Sequence, residues 1–307
     1  MRSRAASTVA VVLLTVTGAS VTGCSSGSDS AKGGPSSPAV GTERSGSTEA
    51  GSTSSGSASS APESIPSDTA SPASAMWAEV YFTRDGALAA TGRSVSGPGF
   101  ARASLDAVLA GPNPAETDAG MTNGVPLGTR VLGLNIADGV ATVDLSGEFE
   151  APSGSLSMQL RAAQVVYTLT QFDTVDAVDI HIDGKAVDTL GGENQPANGL
   201  DRDSVRTVTP PILVTSPAPG STVKPTFSVA GLANTFEATV GWSIVGPDDE
   251  VWASGAGTAS AGNGTWGDFD FQVSAGDHAG PATLRLFQQD MESGGEDNAV
   301  ETPVTIG

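Results

Sequence analysis

A single cysteine, Cys24, is the feature that most limits how this chain can fold. The 307 residues contain no second thiol, so no internal disulfide can hold a domain together. Each folded domain must therefore be stabilised by the apolar core that it buries. Beyond the first 75 residues of the sequence, about 230 remain, which is enough for two domains of ordinary size.

The residues before Cys24 have the pattern of an export signal. Arg2 and Arg4 precede an apolar run over residues 5–16, which is too short to span a bilayer as a helix. Val21-Thr22-Gly23-Cys24 then resembles the lipobox of bacterial lipoproteins, in which the thiol is alkylated with diacylglycerol and the signal peptide, here residues 1–23, is removed. The resemblance implies that Cys24 becomes the lipidated first residue. An ordinary signal peptide that carries a cysteine by chance is the alternative.

Residues 24–75 are predicted to be a disordered linker that begins at the lipidated cysteine. The stretch 25–75 contains 18 serines, and Val40 and Ile65 are its only large apolar side chains. Such a segment cannot bury enough surface to offset the entropy of ordering it. We expect a flexible spacer of about 40 Å r.m.s. length between the bilayer and the folded domains; filler of no specific length is the alternative.

The net charge of −20 limits the partners of the chain. Nucleic acid and anionic lipid headgroups repel so acidic a protein, so neither is an expected partner. Membrane contact is expected through covalent lipid on Cys24, where a second acyl chain makes anchoring stable. No other apolar run approaches the length of a membrane span. These features place the domains in the cell-wall space, anchored to the outer face of the cytoplasmic membrane.

Residues 76–191 predict an α+β domain with two helices on a small mixed sheet. Period-two alternation and turn signals indicate strands, and apolar residues at helical spacing indicate helices. Asp138-Gly139 and Asp183-Gly184 are typical of hairpin turns. The predicted order is β-α-β-β-α-β with a short final strand. The strands are expected at 77–82, 130–136, 140–145, 177–182 and 185–187, the last being the short one, and the helices at 99–109 and 156–170.

Four segments of this domain resemble the GerMN domain, which is named from sporulation and germination proteins and also occurs in lipoproteins. They are Leu109-Ala-Gly-Pro112, Val125-Pro-Leu-Gly-Thr129, Gly139-Val-Ala-Thr-Val-Asp-Leu145 and Leu160-Arg-Ala-Ala-Gln-Val-Val-Tyr-Thr-Leu-Thr170, in that order. The resemblance implies a ligand-binding or assembly module of the cell envelope and implies no catalysis.

Polar residues on the second predicted helix are the candidate ligand-binding residues of this domain: Arg161, Gln164, Thr168 and Gln171. The last three follow i, i+4, i+7 spacing and can share one stripe. One interpretation is a recognition surface for a polar polymer such as glycan. The other is a solvated face on which Gln164 bonds a neighbouring backbone group.

Residues 192–209 are rich in turn formers and are predicted to be a linker. Residues 210–307 then show about seven short alternating strands and no helix, which predicts an all-β immunoglobulin-like sandwich with Trp242 at the centre of its core. Ile212-Leu-Val-Thr-Ser-Pro-Ala-Pro-Gly220 and Phe227-Ser-Val-Ala-Gly231 resemble the start of the immunoglobulin-like domain of bacterial spore germination proteins. That resemblance implies an accessory adhesive or wall-facing module.

Catalytic and metal-binding patterns are sparse. The two histidines, His181 and His278, fall in different domains and offer neither a nucleophile–base pair nor zinc spacing. The glycine-rich acidic loop is the one candidate metal site, for calcium, since that ion prefers hard oxygen ligands; a solvated acidic loop is the alternative. Its candidate ligands are Asp290, Glu292, Glu296 and Asp297.

The leading hypothesis is a lipid-anchored, non-enzymatic binding or assembly protein without a cofactor. Its expected partner is peptidoglycan or another envelope protein. A rival is a carboxylate-dependent cell-wall hydrolase, for which Asp268 and Asp270 share a strand face and several acids would have to converge in a cleft. A third possibility is a structural module that stacks into oligomers.

Overall fold

A computed structural model describes residues 75–97, 99–192, 195–290 and 294–307. The signal peptide, Cys24, the serine-rich spacer before residue 75 and Glu292 lie outside these ranges. The described residues belong to one compact unit and form two hydrophobic cores. Within the same ranges, no helix combines the length and the apolar character that crossing a bilayer requires.

The first domain has the α+β fold that the sequence predicts. Its strands are β1 (Ala75–Arg84), β2 (Ala87–Ser96), β3 (Val131–Ala137), β4 (Val140–Leu145), β5 (Ala177–Ile182), β6 (Lys185–Ala186), β7 (Thr189–Leu190) and β8 (Gln195–Pro196). Its helices are α1 (Phe100–Leu109), α2 (Pro114–Asp118) and α3 (Ser155–Leu169). The main sheet has the order β3-β4-β5-β6, in which β4 and β5 run parallel and α3 forms the crossover between them.

Two-residue turns at Asp-Gly pairs close three hairpins of this domain. Both residues have positive φ in Asp85-Gly86, Asp138-Gly139 and Asp183-Gly184, as a type I′ turn requires. The sequence identifies the last two turns and misses the first. The domain therefore begins β-β-α and not β-α, because β2 pairs with β1 along its whole length. Strand β2 is rich in small residues and has little of the β-branched character that marks a strand.

The described part of segment 192–209 is not a linker. Four of its apolar side chains are buried in the core of the first domain: Ala197, Leu200, Val205 and Val208. Leu200 also exchanges two backbone hydrogen bonds with Val178 of β5, at 2.8 and 3.0 Å. These apolar residues are separated by turn formers and follow neither helical nor strand periodicity. The sequence pattern therefore predicts turns in this segment and gives no sign that it is buried.

The second domain is an all-β sandwich with one strand more than the sequence predicts. Its strands are β9 (Ile212–Ser216), β10 (Ser221–Val223), β11 (Thr226–Ala233), β12 (Thr239–Val245), β13 (Val251–Thr258), β14 (Gly267–Ser274), β15 (Gly280–Gln289) and β16 (Glu296–Ile306). One sheet has the order β10-β16-β15-β12-β13 and the other β14-β11-β9. Trp242 is only half-buried and packs at the margin of the core, whereas Val240 and Ile244 of the same strand are fully buried.

The two domains pack against each other through apolar side chains. Leu213 of β9 and Leu232 of β11 are buried in the core of the first domain, and Trp266 packs on that core from the second domain. Strand β2 lies against β9. Across the same junction, Arg84 Nη1 donates a hydrogen bond to the carbonyl oxygen of Glu301 at 3.0 Å.

Candidate functional site

The polar stripe predicted on the second helix does not lie on the surface of the protein. Gln164 and Thr168 are completely buried, Arg161 is 6% exposed and Gln171 is half-buried. Helix α3 is covered by β1, α1 and β5, so no side of its central turns faces solvent. The recognition-surface interpretation of these residues is therefore wrong. Arg161, Gln164 and Gln171 bond to backbone groups inside the domain, and the buried hydroxyl of Thr168 has no hydrogen-bond partner among the described residues.

Gln164 joins β1 to the loop after α2. Its Nε2 donates to the carbonyl oxygen of Tyr81 at 2.9 Å and to Asn123 Oδ1 at 2.9 Å, and its Oε1 accepts from the backbone N–H of Gly124 at 2.9 Å. A Cβ atom on residue 124 would lie 2.6 Å from that Oε1. The close approach of this backbone to the amide therefore requires glycine.

Arg161 is held by carbonyl oxygens alone. Its Nε donates to Gly124 at 3.1 Å, and its Nη1 donates to Phe149 and Ala151 at 2.8 Å each. Burial lowers the pKa of Arg161 from its ordinary value. These bonds compensate the buried cation and fix the loops on either side of α3.

An open groove of about 610 Å³ lies at the junction of the two domains. The first domain contributes residues from the end of α3 and from segment 201–206, and the second contributes Leu232 and the loop 264–266. Val175 and Leu232 are buried at its floor. Trp266 is half-buried at its side. The groove exists only because the domains pack together.

Arg202 is fixed in this groove by two contacts. Its guanidinium carbon lies 4.9 Å from the centroid of the Tyr167 ring, and its Nε donates to Thr170 Oγ1 at 2.9 Å. Neither terminal nitrogen of this guanidinium has a hydrogen bond or an ion pair to a described residue. A cation held on an aromatic face with two free donor nitrogens is preorganised to bind an acceptor.

Three aspartates line the same groove. Asp201 Oδ1 accepts hydrogen bonds from the backbone N–H and the hydroxyl of Ser204 at 2.8 and 2.6 Å, and these bonds lower the pKa of Asp201. Asp203 lies 3.8 Å from Arg206 Nη2. Asp176 is exposed, and its carboxylate has no hydrogen bond or ion pair to a described residue. A general acid needs a raised pKa, and the pKa of Asp201 is shifted in the opposite direction.

The candidate calcium ligands do not form a cluster in the part of the chain that the structure describes. Glu296 and Asp297 begin β16, and Glu296 Oε2 lies 3.4 Å from Arg285 Nη1. Asp290 is the residue after β15, and its carbonyl oxygen accepts from the backbone N–H of Gly294 at 2.8 Å. Glu292 is not described. Among the described residues, no three acidic, histidine or cysteine side chains are grouped as a metal ion requires.

The comparisons with known proteins assign both domains. Residues 79–188 match the family model for sporulation and spore germination, and residues 211–295 match that of the immunoglobulin-like domain of bacterial spore germination. No curated protein matches the chain.

Among solved structures, the chain is similar to the first GerMN domain of the sporulation protein GerM from Bacillus subtilis, with 24% identity, 42% of this chain and 98% of that chain covered, and a TM-score of 0.35. The tandem GerMN domains of the same protein match with 18% identity, 66% and 62% coverage, and a TM-score of 0.38. A candidate lipoprotein from Clostridium perfringens matches with 19% identity, 44% and 93% coverage, and a TM-score of 0.32.

Proposed function

Because the chain carries a GerMN domain of the sporulation and spore germination family, followed by the immunoglobulin-like domain of bacterial spore germination, we propose that it is a lipid-anchored binding protein of the cell envelope. In this proposal Cys24 holds the lipid, the spacer sets the distance from the bilayer, and the two domains together contact cell-wall polymer without catalysing a reaction.

The observation that carries this proposal is the groove at the domain junction. The side chains of Gln164 and Arg161, inside the first domain, bond to groups of that domain. Arg202 and Asp176 in the groove instead keep hydrogen-bonding capacity that no described residue uses. Groups of this kind, fixed on a packed scaffold and open to solvent, are what a binding site for a polar ligand needs.

Co-sedimentation with purified cell-wall sacculi tests the proposal. Residues 75–307 contain every residue of both described cores, so this fragment is suited to the experiment. We expect saturable pelleting that survives moderate salt, because screening by salt weakens nonspecific contact between exposed charges. Absence of pelleting would remove the wall polymer as the ligand and leave an exported protein as the partner, to be sought by crosslinking in intact cells.

The anchor is tested separately in cells. Cys24→Ala removes the thiol that the lipid would modify, so we expect the protein to leave the membrane fraction and appear in the medium. Cys24→Ser provides a second variant of nearly the same size. Retention of both variants in the membrane fraction would contradict lipidation at this residue.

An exposed edge strand supports the alternative function, a structural module that stacks into oligomers. Among the residues that the structure describes, strand β3 pairs only with β4, and Leu132 and Ile136 on it are 47% and 36% exposed. An exposed edge strand with apolar side chains can pair with a strand of another chain. If the domains stack, sedimentation velocity will show oligomers that grow with concentration, and Leu132→Lys will abolish them.

A further inference from the structure

We propose that the junction groove binds a sugar ring of a neutral glycan strand through Arg202, Asp176 and Trp266. This inference rests on the proposed function and specifies which part of the wall polymer is bound and where. Each of the three side chains has binding capacity that no described residue uses.

Arg202 supplies directed donors. Tyr167 supports the guanidinium plane and Thr170 binds its Nε, so the terminal nitrogens are held in place before a ligand arrives. Binding therefore costs little side-chain entropy at this residue. A pair of fixed, parallel N–H donors suits neighbouring oxygen atoms on one rigid ring.

Asp176 supplies the acceptor in the same groove. Its carboxylate lies beside Gly139, where a Cβ atom would be 2.5 Å from Oδ2, and it has no hydrogen-bonding partner among the described residues. Ionised carboxylates only accept hydrogen bonds and guanidinium groups only donate them. A ligand that satisfies both must donate and accept, as each hydroxyl group of a sugar does.

Trp266 supplies the apolar surface. Its ring is half-exposed at the side of the groove while its other contacts are with the core of the first domain. The indole N–H has no hydrogen bond to a described residue. An indole gives both a flat apolar face and a donor at its edge, and a sugar ring offers C–H groups on one face and hydroxyls around its rim.

The charge of the groove selects against acidic polymers. Three aspartates and two arginines line it, and the chain carries a net charge of −20. A polymer rich in phosphate or carboxylate is repelled by this field. A neutral, hydroxyl-rich strand experiences no such repulsion and can use both the donors and the acceptors.

The test compares groove variants of residues 75–307 in the sacculus assay, with matched controls. Asp176→Asn changes an exposed carboxylate to an amide of the same shape, and Arg202→Met keeps an apolar stem on Tyr167. We expect each to weaken pelleting by roughly tenfold, since each removes charge-assisted hydrogen bonds. The controls Asp173→Asn and Arg102→Met alter exposed residues that do not line the groove and should change it by less than about twofold.

A competition experiment identifies the chemistry of the ligand. Oligomers of N-acetylglucosamine, which are neutral and rich in hydroxyl groups, should displace the protein from sacculi, and wall peptides released by an amidase should not. Displacement by the peptides alone would overturn the sugar assignment. Equal pelleting of the wild type and both groove variants would overturn the groove as the site while the proposed function stands. No pelleting of the wild type would overturn the proposed function and this inference together.

Discussion

The side-chain amide of Gln171 pairs with both backbone groups of Glu79. The N–H of Glu79 donates to Oε1 at 2.8 Å, and Nε2 donates to the carbonyl oxygen of Glu79 at 2.8 Å. Nε2 also donates to the carbonyl oxygen of Thr168 at 2.7 Å, near the C-terminal end of α3. The amide therefore occupies the place that a neighbouring strand takes in a ladder and connects β1 to the end of the helix.

Gln171→Ala is expected to destabilise the fold. It leaves the N–H and the carbonyl of Glu79 without their partner, and unsatisfied polar groups of this kind cost about 1–3 kcal/mol. Urea denaturation of residues 75–307 measures the loss in the free energy of unfolding. Gln272→Ala, at an exposed position of β14, is the control and should stay within about 0.5 kcal/mol of the wild type. Equal losses in the two variants would contradict the role of Gln171.

Arg161 is expected to contribute more to stability than Gln171. Arg161→Met keeps the apolar stem but leaves the carbonyl oxygens of Phe149 and Ala151 without a donor, so we expect a loss of about 3 kcal/mol or more. Arg161→Lys should recover only part of it, since an ammonium group cannot reproduce the planar guanidinium fork. The same denaturation experiment measures both, and full recovery by lysine would show that charge alone is sufficient.

The regular elements of this fold could be predicted because their signals are local. Alternation identifies most strands of the sandwich, and the Asp-Gly pairs identify two of the three hairpins. The burial of α3 was also visible in the sequence. Ala162, Val165 and Leu169 lie on the opposite side of the helix from Leu160, Ala163 and Tyr167, and apolar residues on every side of a helix indicate that it is covered all round. Arg161 and Gln164 on this helix accordingly form their hydrogen bonds inside the fold.

The groove could not be predicted from the sequence. Tyr167 and Arg202 are distant in the chain but meet within the first domain. Trp266 joins them only when the second domain packs on the first. That packing depends on Leu213 and Leu232, whose alternation on their strands looks the same whether they face their own core or the neighbouring one. Periodicity gives the face of a strand that is buried and does not give the partner that covers it.

Leu213→Ala is expected to destabilise both domains together, because Leu213 belongs to the second domain and is buried in the core of the first. Truncation of a buried leucine costs about 2–5 kcal/mol. Calorimetry of residues 75–307 should show one transition that moves to lower temperature. Leu127→Ala is the matched control, since Leu127 is 99% exposed. Two separate transitions, of which only one moves, would contradict the coupling of the domains.

Alkaline titration reports on Tyr81 and Tyr167, the only two tyrosines of the chain. Their ring centroids lie 5.1 Å apart. Burial, followed by the negative charge of Glu79, raises the pKa of Tyr81 well above its ordinary value. Burial also raises the pKa of Tyr167, although the charge of Arg202 and a hydrogen bond with Thr209 oppose the shift.

Since both folded-state pKa values lie above the unfolded value of about 10, their contribution to stability is fully present below that pH and is lost as the pH rises through the folded-state values. We therefore expect little tyrosinate absorbance near pH 10 and a joint rise of absorbance and unfolding at higher pH. Glu79→Gln removes the charge that disfavours the tyrosinate, so Tyr81 should ionise at lower pH in that variant. Gradual ionisation of both tyrosines near their ordinary pKa, with the circular dichroism of the fold unchanged, would contradict the burial of this pair.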